Sequence, residues 1–116
     1  MKSLFIILLF VLSTSAFAGG KRMICTMKYA KTVVPIAEAH SQYDKNRHCS
    51  VSCMLALTCN DNEVLLAGIL KEVRDVFGPG EADREDIIAN RYGIGLVSSK
   101  RAKTYRECLE QCDLRY

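Results

Sequence analysis

Six cysteines constrain this chain more than any other feature, because an even set at these spacings dictates which segments must lie side by side. They are Cys25, Cys49, Cys53, Cys59, Cys108 and Cys112. Cys49 and Cys53 are four apart, as are Cys108 and Cys112, and both pairs fall in segments that read as helix. Residues at i and i+4 share a helix face with Cβ atoms about 5–6 Å apart. A disulfide wants converging Cβ atoms about 3.8 Å apart. Each pair therefore bonds outward, to the other helix. If successive helices simply turn back, the helix bearing Cys49 runs antiparallel to the one bearing Cys108. Antiparallel pairing sets Cys49 against Cys112 and Cys53 against Cys108, which leaves Cys25 for Cys59. A zinc site is the competing use of such residues, but C-x-x-x-C is not the usual knuckle spacing.

Bridges of this kind belong to an exporting, oxidising route, and the first residues agree. Lys2 begins a positive n-region, Leu4 to Leu12 is unbroken apolar chain, and Ala16-Phe17-Ala18 offers small residues where a signal peptidase reads. Residues 1–18 are expected to be a secretory signal peptide and residues 19–116 a single disulfide-rich helical domain. The apolar run is far short of the roughly 20 residues that span a bilayer, so no stable membrane insertion is expected. The expected location is periplasmic or secreted. A formal net charge of +3 from 16 basic and 13 acidic residues gives no argument for a nucleic-acid partner.

Along the chain, residues 19–33 lack helical periodicity and read as an extended arm. Pro35 suits the first position of a helical turn. Ile36 to Cys59 forms one helix or two, with Asp44 the N-cap of any break. After the Asn60-Asp61-Asn62-Glu63 start, Leu66, Ile69, Leu70, Val73, Val76 and Phe77 recur at helical spacing up to Gly78-Pro79-Gly80. Asp83 can cap a further helix with Asp86 at N3 and Ile87, Ile88 and Tyr92 on its buried side. Gly93 and Gly95 near its end ask for a close helix–helix contact or a turn. Ser98 to Lys103 is a polar linker, and Thr104 to Leu114 is a last helix turning Tyr105, Cys108, Leu109 and Cys112 inward. The expected fold is all-α: a small, disulfide-stapled bundle of about four helices behind an N-terminal extended arm.

Few residues suggest chemistry. His40, Asp44 and His48 stand at i, i+4 and i+8, and on one continuous helix they could hold zinc or copper; a polar exposed face is the plainer reading. His48 lies beside Cys49 and hence beside the stapled interface. Packed against the helix of Asp86 and Asn90, its ring would be oriented as a general base requires, with Arg47 near any developing negative charge. A structural polar cluster, with Arg47 paired to Asp86, competes with that. Asp75, Glu81, Asp83, Glu85 and Asp86 do not match a calcium loop. Lys100, Arg101, Lys103 and Arg106 suit an acidic surface. With every cysteine bridged, no thiolate nucleophile remains. No cofactor is called for.

The string Asn46-Arg47-His48-Cys49-x-x-Ser52-Cys53, then Gly68-x-x-Lys71-Glu72-x-x-x-Asp75, Asp86-x-x-Ala89-Asn90-x-x-Gly93 and Cys108-x-x-x-Cys112, resembles a cysteine-rich helical module. That module ends some bacterial Rhs-type polymorphic toxin proteins and also occurs as small exported proteins. The Asp-x-x-Ala-Asn-x-x-Gly part is loosely similar to the serum amyloid A family. The resemblance covers residues 46–112 and implies a helical exported fold and a toxin-related role in antagonism between cells. Arg47, Lys71 and Glu72 are the chain's candidate binding residues. The function expected is binding of another protein or an envelope component. A small envelope-directed hydrolase using His48, Asp86 and Asn90 is the alternative, and a metal-binding protein built on His40 and His48 a third.

Overall fold

The computed structural model describes residues 24–68 and 84–116. Among the described residues every regular element is helical: α1 (Ile24–His40), α2 (Asp44–Ala56), α3 (61–68 of its described part), α4 (Arg84–Ser98) and α5 (Tyr105–Arg115). The fold is the expected all-α, disulfide-stapled bundle. The expected leader and the stretch from Ile69 to Asp83, with the expected Gly78-Pro79-Gly80 stop and Asp83 cap, lie outside the described residues.

Over its described part the expected extended arm is helix instead: residues 24–33 belong to α1, and residues 19–23 lie outside the described residues. Its inward face is built from Thr26, Val33 and Ala37, with Tyr29 and Ile36 packed partly against the core. Small and weakly apolar side chains at helical spacing carry little hydrophobic contrast, which is why periodicity missed them. Tertiary packing stabilises the helix where local pattern does not. Pro35 sits inside α1 rather than starting it. It is exposed, so the backbone bond it forfeits lies on the solvent side of the helix.

The chain breaks at 41–43, so Ile36 to Cys59 is two helices. Tyr43, extended and without a side-chain cap, takes the N-cap position, and Asp44 is the first residue of α2 rather than its cap. There its carboxylate still meets the positive end of the helix. The last helix begins more firmly. Glu107 N–H donates to Thr104 Oγ1 at 3.1 Å, and Lys103 N–H donates to Glu107 Oε2 at 3.0 Å, a reciprocal cap. Before it, α4 ends with Lys100 at φ 62°. Arg101 N–H returns to Leu96 O, and Lys100 N–H to Val97 O, the closing bonds of a Schellman turn.

Three bridges tie the helices: Cys25–Cys59, Cys49–Cys112 and Cys53–Cys108. This is the pairing that antiparallel geometry expects, and no described cysteine is free. The four half-cystines joining α2 to α5 are wholly buried and, with Met54, Leu96 and Val33, form the centre of the core. On its other side α2 packs lengthwise on α4. Lys45 meets Asp86, Ser52 meets Asn90, and the backbone at Cys49 and Cys53 meets Gly93, so these two helices run parallel. A Cβ on Gly93 would fall onto the Cys49 carbonyl. That close approach explains Gly93. Gly95 has open space around it, and no contact accounts for it.

The buried side of α4 differs from expectation. Ile88 is exposed, and Ile87 and Tyr92 are only half-buried. Asp86, Ala89, Asn90, Gly93, Ile94 and Leu96 face inward instead. The helix is rotated towards its small and polar residues, because only Gly93 and Ala89 let it approach α2 this closely. Among the described residues, no helix is long and apolar enough to cross a membrane.

Candidate functional site

Parallel packing of α2 on α4 brings two polar stripes together. Lys45, His48 and Ser52 come from α2, Asp86 and Asn90 from α4, and Asp44 adds its carboxylate from the first position of α2. His48 stands between both partners that the sequence allowed it. Its Nδ1 lies 3.1 Å from Asn90 Oδ1, and its Nε2 lies 3.2 Å from Asp86 Oδ2 and 3.6 Å from Asp44 Oδ1. An amide oxygen only accepts, so Nδ1 carries a proton and donates it to Asn90. Ser52 Oγ donates to the same oxygen at 3.0 Å. Asn90 is held from a third side by Gly68, where any Cβ would strike its Nδ2.

Asp86 is 3% exposed. Such a carboxylate needs charge partners, and Lys45 supplies one: its Nζ reaches Asp86 Oδ1 at 2.5 Å and Asp44 Oδ2 at 3.2 Å. The two acids respond differently. Burial pushes the Asp86 carboxyl above the ordinary carboxylate value, and the neighbouring Asp44 adds to this against the pull of Lys45 and His48. For Asp44 burial again favours the neutral form. Hydrogen bonds with Asp86 and Lys45 and the charge of His48 outweigh it and hold Asp44 below the ordinary value. The unequal surroundings of the two acids set them apart.

Asp44, His48 and Asn90 also face an open-sided cavity of about 350 Å³ between α1, α2 and α3. Its walls are Ala30, Val34 and Ala37 of α1, Val51 and Leu55 of α2, and Val64 and Ala67 of α3. Glu38, Arg47 and Ser52 join the polar end, and Thr26 lies further along α1. Thr26 and Ala37 are about 16 Å apart along the helix axis at 1.5 Å per residue. The Thr26 hydroxyl is buried without a hydrogen-bond partner.

The remaining expected residues fall elsewhere. Arg47 lines the cavity but does not pair with Asp86; its Nε donates to Ser41 O at 2.7 Å. Lysine rather than arginine takes Asp86 because position 45 is three residues before His48 and shares its face. His40 and His48 do not share a face, since the break at 41–43 ends the helix between them. His40 Nε2 lies 2.8 Å from Asp113 Oδ2, and Asn46 donates to the same carboxylate, closing α1 and α2 onto α5. Of the two groups of metal-capable side chains among the described residues, one is Asp44, His48 and Asp86, without His40; the other, Cys25, Cys59 and Glu63, has its cysteines bridged. Lys71, Glu72 and Asp75, like Glu81 and Asp83, lie outside the described residues. Arg101 lies over the Tyr92 ring and Arg106 pairs with Glu110, so the basic run is partly occupied within the chain.

Lys45 was missed from sequence. The available signal was its position beside Asp44 and one helical turn from His48. No family model, curated protein or solved structure matches the chain.

Proposed function

We propose that this is an exported helical protein, periplasmic or secreted, that binds a small amphiphilic component of a cell envelope in the cavity between α1, α2 and α3. The cavity itself carries the reading. Its volume lies within the roughly 300–1,000 Å³ of small-molecule pockets, and it combines apolar walls with a few convergent polar groups. Small side chains along one helix leave room for an extended apolar tail, and Arg47 stands at the polar end to receive an anionic head. The leader-like pattern of residues 1–18 and the three disulfides support export. Arg47, His48, Ser52, Gly68 and Asn90, all part of the Rhs-like pattern, line this cavity. A toxin-related role in antagonism between cells rests on the sequence resemblance alone.

Calorimetry with a single-chain fatty acid or lysophospholipid tests the reading. Wild-type protein is expected to bind saturably, and Val34→Trp, which fills the trough, to lose binding while keeping its helical circular dichroism. No saturable binding by wild type, or equal binding by the filled variant, sinks it.

The hydrolase alternative is favoured by one observation: His48 lies in a concave site against Asp86 and Asn90. Against it, both ring nitrogens are directed at protein groups: Nδ1 at Asn90, and Nε2 at Asp86 and Asp44. Release of product from envelope material that disappears in His48→Ala would select the hydrolase over the binder.

A further inference from the structure

We propose that Asp44, His48 and Asp86 form a binding site for one divalent transition-metal ion of the zinc class, beside the polar end of the cavity. Each carboxylate divides its oxygens. Asp86 Oδ1 and Asp44 Oδ2 are turned to Lys45. Asp86 Oδ2 and Asp44 Oδ1 are turned to His48 Nε2, at 3.2 and 3.6 Å. The three donor atoms lie within 4.8 Å of one another. Ligands bound at about 2.0–2.2 Å around a tetrahedral zinc stand about 3.3 Å apart, so the two imidazole–carboxylate separations already suit one ion.

The orientation of the ring supplies an independent argument. His48 Nδ1–H is spent on Asn90, itself fixed by Ser52. A metal-ligating histidine almost always anchors its second nitrogen in this way. In the neutral ring the Nε2 lone pair then points at two carboxylate oxygens. Three electron-rich atoms facing one another require a cation, whether a proton or a metal ion. Lys45 does not supply it, because it is bound to the opposite oxygens, and there it offsets part of the second carboxylate's charge. One imidazole and two carboxylates form a mixed N/O set, suited to zinc and its neighbours rather than to calcium, which prefers six to eight oxygens. Asp44 is more than half exposed and lines the cavity together with His48, so the fourth coordination position opens to a water or to a ligand's head group. The ion site does not depend on the amphiphile reading, since it rests on different atoms.

Titration with Zn²⁺ alone, followed by calorimetry, tests the proposal in the disulfide-intact chain, where no thiolate competes. One saturable equivalent is expected for wild type and for His40→Ala. His48→Ala is expected to abolish binding, and Asn90→Ala, which removes only the anchor of the ring, to weaken it about 10–100-fold. Nitrogen-15 spectra of wild type keep the test decisive if a variant unfolds: the His48 Nε2 resonance should shift on addition of Zn²⁺ while those of His40 stay in place. Binding that survives in His48→Ala, that is lost in His40→Ala, or that leaves the His48 resonances unmoved overturns it.

Discussion

One helix, α2, faces two unlike neighbours. Towards α5 it presents Cys49 and Cys53, wholly buried and covalently bound to Cys112 and Cys108. Towards α4 it presents Lys45, His48 and Ser52, which meet Asp86 and Asn90 without a covalent link. The stapled face is centred on buried sulfur, with Asn46 and Asp113 at its edge; the face towards α4 is a polar network with Asp86 and Asn90 buried. Buried charge pairs are weak sources of stability, because desolvation offsets much of their attraction. The comparison teaches a division of labour. Bridges on one side hold the helix in place, so the other side can bury an acid, an amide and an imidazole in a fixed arrangement.

The largest test removes the covalent face. Closing 55 residues between Cys53 and Cys108 stabilises the fold by about 4 kcal/mol in the chain-entropy model. A Cys53→Ala/Cys108→Ala variant should therefore show a sharply lower thermal midpoint, as should wild type in excess reductant. The remaining Cys49–Cys112 bridge will absorb part of the loss in the variant. Unchanged melting in reductant would show that the polar face holds the bundle by itself.

A smaller effect is expected where the polar face depends on backbone contact. Gly93→Ala drives a Cβ into the Cys49 carbonyl, an overpacking expected to cost about 1–3 kcal/mol and to disturb His48 as the helices part. Gly95→Ala, two residues on with open space around it, should instead stabilise α4 by up to about 1 kcal/mol. Urea unfolding of the two variants sharpens the comparison, and equal shifts of the same sign would contradict the close contact.

The smallest effect is a slope with pH. Because Asp86 holds its proton more readily folded than unfolded, its contribution to stability is complete below the ordinary carboxylate value. That contribution is lost as pH rises through the raised folded value. Asp44, depressed in the fold, behaves oppositely. Its contribution is present above the ordinary value and lost as pH falls through the lowered one. Between about pH 4 and neutrality the Asp86 effect governs. The stability of wild type relative to Asp86→Asn should therefore decline as pH rises across that window. Parallel curves for the two proteins would mean that the buried face exerts no such strain on Asp86.

How much of this was legible in the sequence depends on the kind of residue. Cysteines four apart in helical segments exclude bonding within a pair and, with antiparallel order, give all three bridges, because disulfide geometry is local and strict. Gly93 signalled a close contact for the same reason, that only absence of a side chain permits one. The meeting of His48 with Asp86 and Asn90 could be posed as a possibility from spacing. The choice of Lys45 over Arg47 as partner of Asp86 could not, because it depends on how α4 is rotated against α2. That rotation also turned Ile88 outward, against the hydrophobic pattern.

Sequence by itself determined the helical class, the bridging pattern and the break-prone stretch before α2, since these follow from periodicity, fixed bond geometry and backbone preference. Tertiary structure alone decided that residues 24–33 are helical, that Asp44 and Asp86 share Lys45 and His48, and that a cavity opens beside them. Those outcomes depend on burial. A weak stripe of Thr26, Val33 and Ala37 becomes a helix face only when Cys25–Cys59 and the α2 core lie against it. Two acids with ordinary solution chemistry are driven apart in proton affinity only where the fold takes water from both and sets them against each other, beside Lys45 and His48.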